Sequence, residues 1–387
     1  MAPTAVVTPR GAARIRAGHP WVFRSDVIHA DAAAGDLIVV LTDRQRPLGA
    51  ALWSDASQIA IRMVATTTIE DHEPFWRARL EDAVAYRDTL EIDGTGARLV
   101  HGEADRLPAL IVDRYGEYLV MQTLNQGMDR REAMLVRLLV ERLQPCGVLV
   151  RNDAKVRQLE GLAPRVEVVH GHVPATVEVR EGAIRYAVDL RAGQKTGLFL
   201  DQRENHAAAA RVARGRGLDA FTYTGGFALP MASRCTSVLA LDSSATAVAA
   251  ARENAARNGL DNVDVREANV FDALRDLHTA GERFDTIVLD PPAFAKNKAA
   301  VARAAAGYKD INLRAFKLLP PGGHLITCSC SYHVDEAMLM AIVEAAAADA
   351  RAVVTVVEKR MQARDHPVLA GVPETYYLKC FVLRRVA

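Results

Sequence analysis

The feature that most constrains this chain is a change of period near residue 186. From there, short apolar runs (GLDAFTY, SVLALD, VDVREA, DTIVLD, GGHLITCSC) alternate with helical stretches such as SSATAVAAARENAARNG. Ser243 or Ser244 is placed to cap that helix and Gly259 to close it. Strand–helix alternation of this kind buries both faces of a parallel sheet under helices. The expected fold is therefore α/β, a Rossmann-like, doubly wound domain over 186–387. The last two runs, AVVTVVEKR and TYYLKCFVLRRV, have no convincing helix immediately between them and read as an antiparallel pair ending a mostly parallel seven-stranded sheet.

A chain of 387 residues is too long for one ordinary core. Residues 1–66 carry DLIVVL, LGAALW and QIAIRMV between turn-rich pieces such as TDRQRP, which suggests a small β-barrel. Residues 67–185 read as a central α+β domain. It has a helix near 73–90, two strands about a Tyr115-Gly116-Glu117 turn, and a hairpin turning at Glu181-Gly182. Across 128–143, Leu135, Leu138, Leu139 and Leu143 fall at helical spacing and form a core stripe.

No apolar run approaches the roughly 20 residues that cross a bilayer. The first residues lack a charged region ahead of an apolar core, so no secretory signal is read and the expected location is cytoplasmic, away from membranes. The five cysteines, Cys146, Cys235, Cys328, Cys330 and Cys380, are odd in number and dispersed. They form neither a disulfide framework nor a zinc-binding pattern, so no metal is expected. A net charge of +1, from 48 basic and 47 acidic residues, neither demands nor excludes a nucleic-acid partner. Residues 1–25, however, carry Arg10, Arg14, Arg16 and Arg24 without an acid, interleaved with Trp21 and Phe23. Cations for phosphates beside aromatics for bases suit an RNA surface. The competing reading is a solvated basic edge with core aromatics.

In open α/β sheets, ligands bind beyond the carboxyl ends of the strands. The first strand runs into Phe221-Thr222-Tyr223-Thr224-Gly225-Gly226-Phe227, where two glycines remove Cβ atoms that would obstruct a ligand. The second ends at Asp242, suited to the hydroxyls of a ribose, and the third leads to Asn269, suited to an adenine amino group. A dinucleotide site would share the first two features. The fourth strand separates the possibilities, because it ends in Asp290-Pro291-Pro292-Ala293-Phe294. Consecutive prolines make a rigid turn poor in hydrogen bonds. An acid before Pro-Pro is the pattern of methyltransferases acting on nucleobases, whose sheets also end in an antiparallel pair.

The fifth strand carries Cys328 and Cys330, with Cys330 at its carboxyl end. Cytosine C5 is too weak a nucleophile to take a methyl group from a sulfonium. Thiolate addition at C6 makes C5 enamine-like and able to do so. Cys330 is the candidate thiol, and Asp290, with a raised pKa, the candidate acid at N3. Cys146, Cys235 and Cys380 read as small buried hydrophobes, and Cys328 as structural.

GQKTGLFLDQR (193–203), FTYTGGFAL, LDSSATAVAAARENAARNG, VLDPPAFAKNK, YKDINLRAFKLLPPGGHLITCSCS and DHPV…PETYYLKCF together resemble the large-subunit ribosomal RNA methyltransferase I family. These are bacterial 23S rRNA cytosine-C5 methyltransferases. HPWVFRSDV and GEADRLPALIVDRYGEYLV extend the resemblance over nearly the whole chain. It implies a PUA-like RNA-binding domain over 1–66, a central domain, S-adenosyl-L-methionine as cofactor, and 23S rRNA, free or in a large-subunit precursor, as partner. Cys330 would be the nucleophile. Lys195, Phe199, Asp201, Gln202 and Arg203 match the family's loop before the first core strand, with Gln202 and Arg203 approaching the methionine part of the cofactor. Phe221, Tyr223, Thr224, Gly225, Gly226, Asp242, Asn269, Asp290 and Pro291 would complete the cofactor set, and Lys296 would join the four arginines on RNA. Two departures stand out: Ala293 replaces the second cysteine of many related enzymes, and Asn269 replaces a common Asp. His333 and His366 fall near the expected rim but read as satisfied histidines. Two other functions compete. In base N-methyltransferases the aromatic follows the prolines directly, which Ala293 prevents here, and Cys330 would have no use. A non-catalytic RNA-binding assembly factor would not need Asp242, Asp290 and Cys330 intact. The sequence does not specify the oligomeric state.

Overall fold

The computed structural model describes residues 2–295 and 297–387. The chain divides into two compact units, one comprising residues 1–179, 188–198 and 364–375, the other 180–187, 199–363 and 376–387.

In the first unit, a six-stranded sheet runs in the order Trp21–Phe23, Ile59–Ala65, Pro47–Trp53, Leu37–Thr42, Thr4–Val7, Val27–Asp31. The three apolar runs read from sequence are its Leu37–Thr42, Pro47–Trp53 and Ile59–Ala65 strands. Residues 2–31 are more structured than a basic edge. Thr8 caps a Pro9–Arg16 helix by accepting from Gly11 N, and Ala5, Val7, Ala12 and Val22 lie in the core. A five-stranded sheet follows, in the order Arg165–Gly171, Gly147–Asn152, Tyr118–Thr123, Leu110–Tyr115, Gly96–His101. The helix at Glu73–Asp88 meets its expectation. The leucine stripe lies on one helix, Glu132–Leu143, which a short helix, Gln126–Arg130, precedes. The two meet at Arg131, whose guanidinium bonds to Asp71 and to the carbonyls of Gly35 and Gly127. Leu135, Leu138 and Leu139 are buried as expected, while Leu143 is only half-buried.

The second unit is built on strands β1 (Arg216–Ala220), β2 (Ser237–Asp242), β3 (Val263–Glu267), β4 (Thr286–Leu289), β5 (His324–Ser329), β6 (Val354–Arg360) and β7 (Lys379–Arg385). Their order in the sheet is β3-β2-β1-β4-β5-β7-β6. The first five are parallel, and β7 is antiparallel to both β5 and β6. Helices α1 (Arg203–Val212), α2 (Ala228–Ala232), α3 (Ala245–Arg257), α4 (Val270–Thr279), α5 (Val301–Leu318) and α6 (Glu336–Asp349) connect or precede the strands. All four residues of β4 are buried, as a central strand covered on both faces requires. Ser244, not Ser243, caps α3. Strand order reverses between β1 and β4, so the crevice beyond their carboxyl ends is where this topology receives a ligand. Among the described residues, no helix is long and apolar enough to cross a membrane.

Candidate active site

The loop after β1 is built from unfavourable backbone. GLDAFTY was expected to remain extended to Tyr223, but the strand stops at Ala220. Phe221 (φ 70°) and Tyr223 (φ 51°) both adopt left-handed conformations, each costing roughly 1–3 kcal/mol for a bulky L-residue. Asp242 at the end of β2 holds the loop in place. One carboxylate oxygen accepts from Tyr223 N at 2.8 Å and the other from Ser244 N at 2.9 Å. Each oxygen keeps a lone pair for a further donor.

Beneath this loop lies Asp219, which the sequence reading missed. It is fully buried, and its Oδ2 accepts from Thr222 Oγ1 (2.6 Å) and Ala228 N (2.8 Å). Its Oδ1 has no partner among the described residues, and burial pushes its pKa up to about 6. The glycines also have an internal reason. A Cβ on Gly226 would lie 2.8 Å from His206 Nε2, and one on Gly225 would lie 2.8 Å from Leu229 Cγ. Close packing of the protein's own side chains therefore requires them, whatever ligand lies beyond.

Asp290, beyond the end of β4, is half-buried. Burial is the main cause of a pKa raised to about 7, and the negative charges of Asp201 and Asp219 add to it. His206 and a hydrogen bond from Gln202 oppose the rise. Gln202 is buried. Its amide oxygen accepts from Asn205 Nδ2 at 2.7 Å, and Asn205 Oδ1 accepts from Arg360 Nε at 3.0 Å. This relay fixes which end of the Gln202 amide faces the carboxylate. His206, also unread from sequence, lies 2.7 Å from Glu181 through Nδ1 and packs on Phe227. Burial disfavours its charged form, but Glu181, Asp290 and Asp219 outweigh this and hold its pKa above the ordinary value.

The two thiols of the fifth strand differ in environment. Cys328 lies within β5, fully buried opposite Cys380 of β7, and burial pushes its pKa well above the ordinary value. Cys330 falls one residue beyond the strand and is half-buried. Its neighbours are tied down: Ser329 Oγ donates to Tyr308 OH at 2.9 Å, and that hydroxyl lies 3.0 Å from Ser331 Oγ. Ser331 Oγ also accepts from Ala295 N, joining the Asp-Pro-Pro segment to the same cluster.

Phe199 and Tyr223 pack edge to face, with ring centroids 5.2 Å apart. Arg203 and Pro291 are buried, and Thr224 is half-buried. Asn269 is exposed, but its oxygen caps α4 by accepting from Phe271 N and Asp272 N. The group expected to accept from an adenine amine thus already has backbone donors. In the N-terminal sheet, Arg10 pairs with Asp26 at 2.7 Å, and Arg14 lies against His19 and over Phe23. Arg24 donates to the carbonyls of Ser54 and Ser57, whereas Arg16 is exposed. Trp21 donates to Glu103. Lys296 lies outside the described residues. No cluster of three or more metal-ligating side chains occurs among the described residues.

Taken together, a switch-point crevice with a clamped loop, an acid closing β2 and an Asp-Pro-Pro turn closing β4 is the architecture of a nucleoside-bearing methyl donor site. Residues 121–383 match the S-adenosylmethionine-dependent methyltransferase family, and residues 5–66 match the PUA-like domain. The chain is thus an S-adenosylmethionine-dependent methyltransferase carrying a PUA-like domain. It is 42% identical over 377 residues to the Ribosomal RNA large subunit methyltransferase I of Shewanella denitrificans, covering 95% of both chains. It is 39% identical over 379 residues to that of Tolumonas auensis, covering 95% of this chain and 96% of that one. The chain belongs to the ribosomal RNA large subunit methyltransferase I family. The crystal structure of SMU.776 complexed with SAH shares the fold, with a TM-score of 0.85 at 19% identity over 98% of this chain and 99% of that one. The residues fit the cofactor: Asp242 retains lone pairs for ribose hydroxyls, and the buried, unpartnered Asp219 oxygen lies at the mouth of β1, where a donor or cation would satisfy it.

Proposed function

We propose that this chain methylates C5 of a cytosine in 23S ribosomal RNA, with Cys330 as nucleophile. The observation that carries the reading is the contrast between the thiols. Cys328 is sealed against Cys380, while Cys330 stands half-exposed beyond the carboxyl end of β5, on the strand next to that ending at Asp290. S-adenosylmethionine, when bound, supplies the methyl group that C5 accepts. The chain's own residues make C5 able to accept it. The Cys330 thiolate forms a bond to C6 as the C5–C6 double bond opens towards the carbonyl and N3. Asp290, with its pKa near 7, holds a proton at neutral pH in a substantial fraction of molecules and donates it towards N3 as charge builds there. Gln202, oriented by Asn205, faces that carboxyl group and favours its ionised form. Loss of the C5 proton and departure of the Cys330 thiolate then restore the ring.

The same reading gives residues 1–66 the RNA-holding role, through Arg10, Arg14, Arg16 and Arg24 together with Lys296 of the Asp-Pro-Pro segment. Residues 67–185 form the central domain and 186–387 the methyltransferase domain, in a cytoplasmic enzyme. Nucleoside analysis by mass spectrometry of 23S rRNA incubated with enzyme and cofactor tests the chemistry. The expected product is 5-methylcytidine, formed by wild type and by Cys328→Ala but not by Cys330→Ala. Methylated adenosine or guanosine as the sole product would contradict the reading.

A further inference from the structure

Lys379 opens β7, paired in register with Ser329 and so one residue from the half-exposed thiol. Its side chain is 1% exposed, and an ammonium removed from water is costly unless its charge is compensated. Its hydrogen bonds among the described residues go to two backbone carbonyls, Ser331 O at 2.8 Å and Tyr377 O at 3.0 Å. Carbonyls solvate a cation but do not neutralise it, and a protonated amine has a third N–H to direct elsewhere. The ionisable groups that favour its charge are Cys330 and Asp335. Asp335 is exposed, so water screens it, and its carboxylate caps α6 through Met338 N. Nearby charges are otherwise engaged: Glu336 with Lys359 and Tyr376, and Arg360 with Glu358 and Asn205. From α5, Tyr308 faces Cys330 as a phenol kept neutral, chiefly by burial.

We propose that Lys379 is a positioning residue that holds Cys330 as a thiolate before substrate arrives, its buried ammonium anchored on the Ser331 carbonyl and pairing with the half-exposed thiolate. The proposal rests on Cys330 being the nucleophile. A cation beside a thiol in a low-dielectric setting favours the charged form of both partners. In line with this, burial lowers the Lys379 ammonium to about 8, and Cys330 is the first of the groups that oppose that fall. A thiolate formed in advance removes the need for a base to activate the attacking sulfur. No proton transfer then precedes addition to C6.

The test is alkylation of the full-length protein with iodoacetamide across pH, reading the Cys330 peptide by mass spectrometry. In wild type, the labelling midpoint should lie below the ordinary thiol value of about 8.5. Lys379→Met should raise the midpoint by at least about one unit and cut labelling at pH 7 about tenfold, whereas Lys379→Arg should keep most of the wild-type profile. A wild-type midpoint at or above the ordinary value overturns the proposal without any variant, so a Lys379→Met protein that fails to fold does not shelter it. An unchanged midpoint in folded Lys379→Met also overturns it, and reduces Lys379 to a tie between two carbonyls. The nucleophile reading fails separately, if wild-type enzyme makes no 5-methylcytidine whatever the labelling profile.

Discussion

Asp290 concentrates the electrostatics of this site. Its carboxyl group, with a pKa near 7, and that of Asp219, near 6, both sit above the ordinary 3.8. Between about pH 4 and 7 the native state therefore retains protons that the unfolded chain has released, so stability falls as pH rises through this window. Asp290→Asn should remove its share of that loss. The melting temperature should rise by a few degrees at pH 8 and stay unchanged at pH 4, while methylation falls roughly 10²-fold or more. Thermal denaturation at the two pH values checks the first part; an equal shift at both would show that burial, not ionisation, sets the effect. The placement of Asp242 at a strand end, and of Asp290 and Cys330 one residue beyond theirs, was legible in sequence because strand ends are fixed by local pattern. Asp219, His206 and Lys379 were not, because their meaning lies in partners far along the chain. His206 meets Glu181, and Lys379 reaches the Ser331 carbonyl. Gly226 was legible as a glycine but not for its reason, the approach of His206.

At the level of elements, α5 ties the end of β5 to the Asp-Pro-Pro segment through one hydroxyl. Tyr308 OH bonds to Ser329 and Ser331, and its ring packs at a tilt against Phe294, with centroids 4.7 Å apart. Tyr308→Phe keeps the ring and removes only the clamp. It should cost about 1–3 kcal/mol of stability and lower turnover more than cofactor affinity, as calorimetric titration beside steady-state rates would measure. Equal losses in both would place Tyr308 in general packing. The strands after residue 186 were readable because turn residues bound them, and the Ala245–Arg257 helix because Ser244 caps it. The Thr4–Val7 strand and the Pro9–Arg16 helix escaped notice because arginines dominate that segment, while its buried face consists of short residues, Ala5, Val7, Gly11 and Ala12. The leucine stripe at 135–143 was legible from its spacing, whereas the short Gln126–Arg130 helix before it, capped by Asn125, was not separately read.

For the whole molecule, a net charge of +1 means that affinity for RNA has to come from local cations rather than a global field. The N-terminal arginines divide by their internal obligations. Arg16 is exposed, so Arg16→Ala should weaken RNA binding and reduce the slope of log K against log salt by up to about one. Arg24 is bound to the Ser54 and Ser57 carbonyls and lies over Trp53, so Arg24→Ala should chiefly lower the melting temperature. Filter binding across a salt series, beside melting curves, separates the two; identical behaviour would refute the division. Ribosomal RNA carrying 5-fluorocytidine blocks loss of the C5 substituent, so a nucleophile that adds to C6 stays attached. Incubated with cofactor, wild type and Cys328→Ala should each give a protein–RNA adduct stable to denaturing gel electrophoresis, with Cys330 as the modified peptide, and Cys330→Ala should give none. An adduct that persists in Cys330→Ala, or is absent from active wild type, would contradict the account.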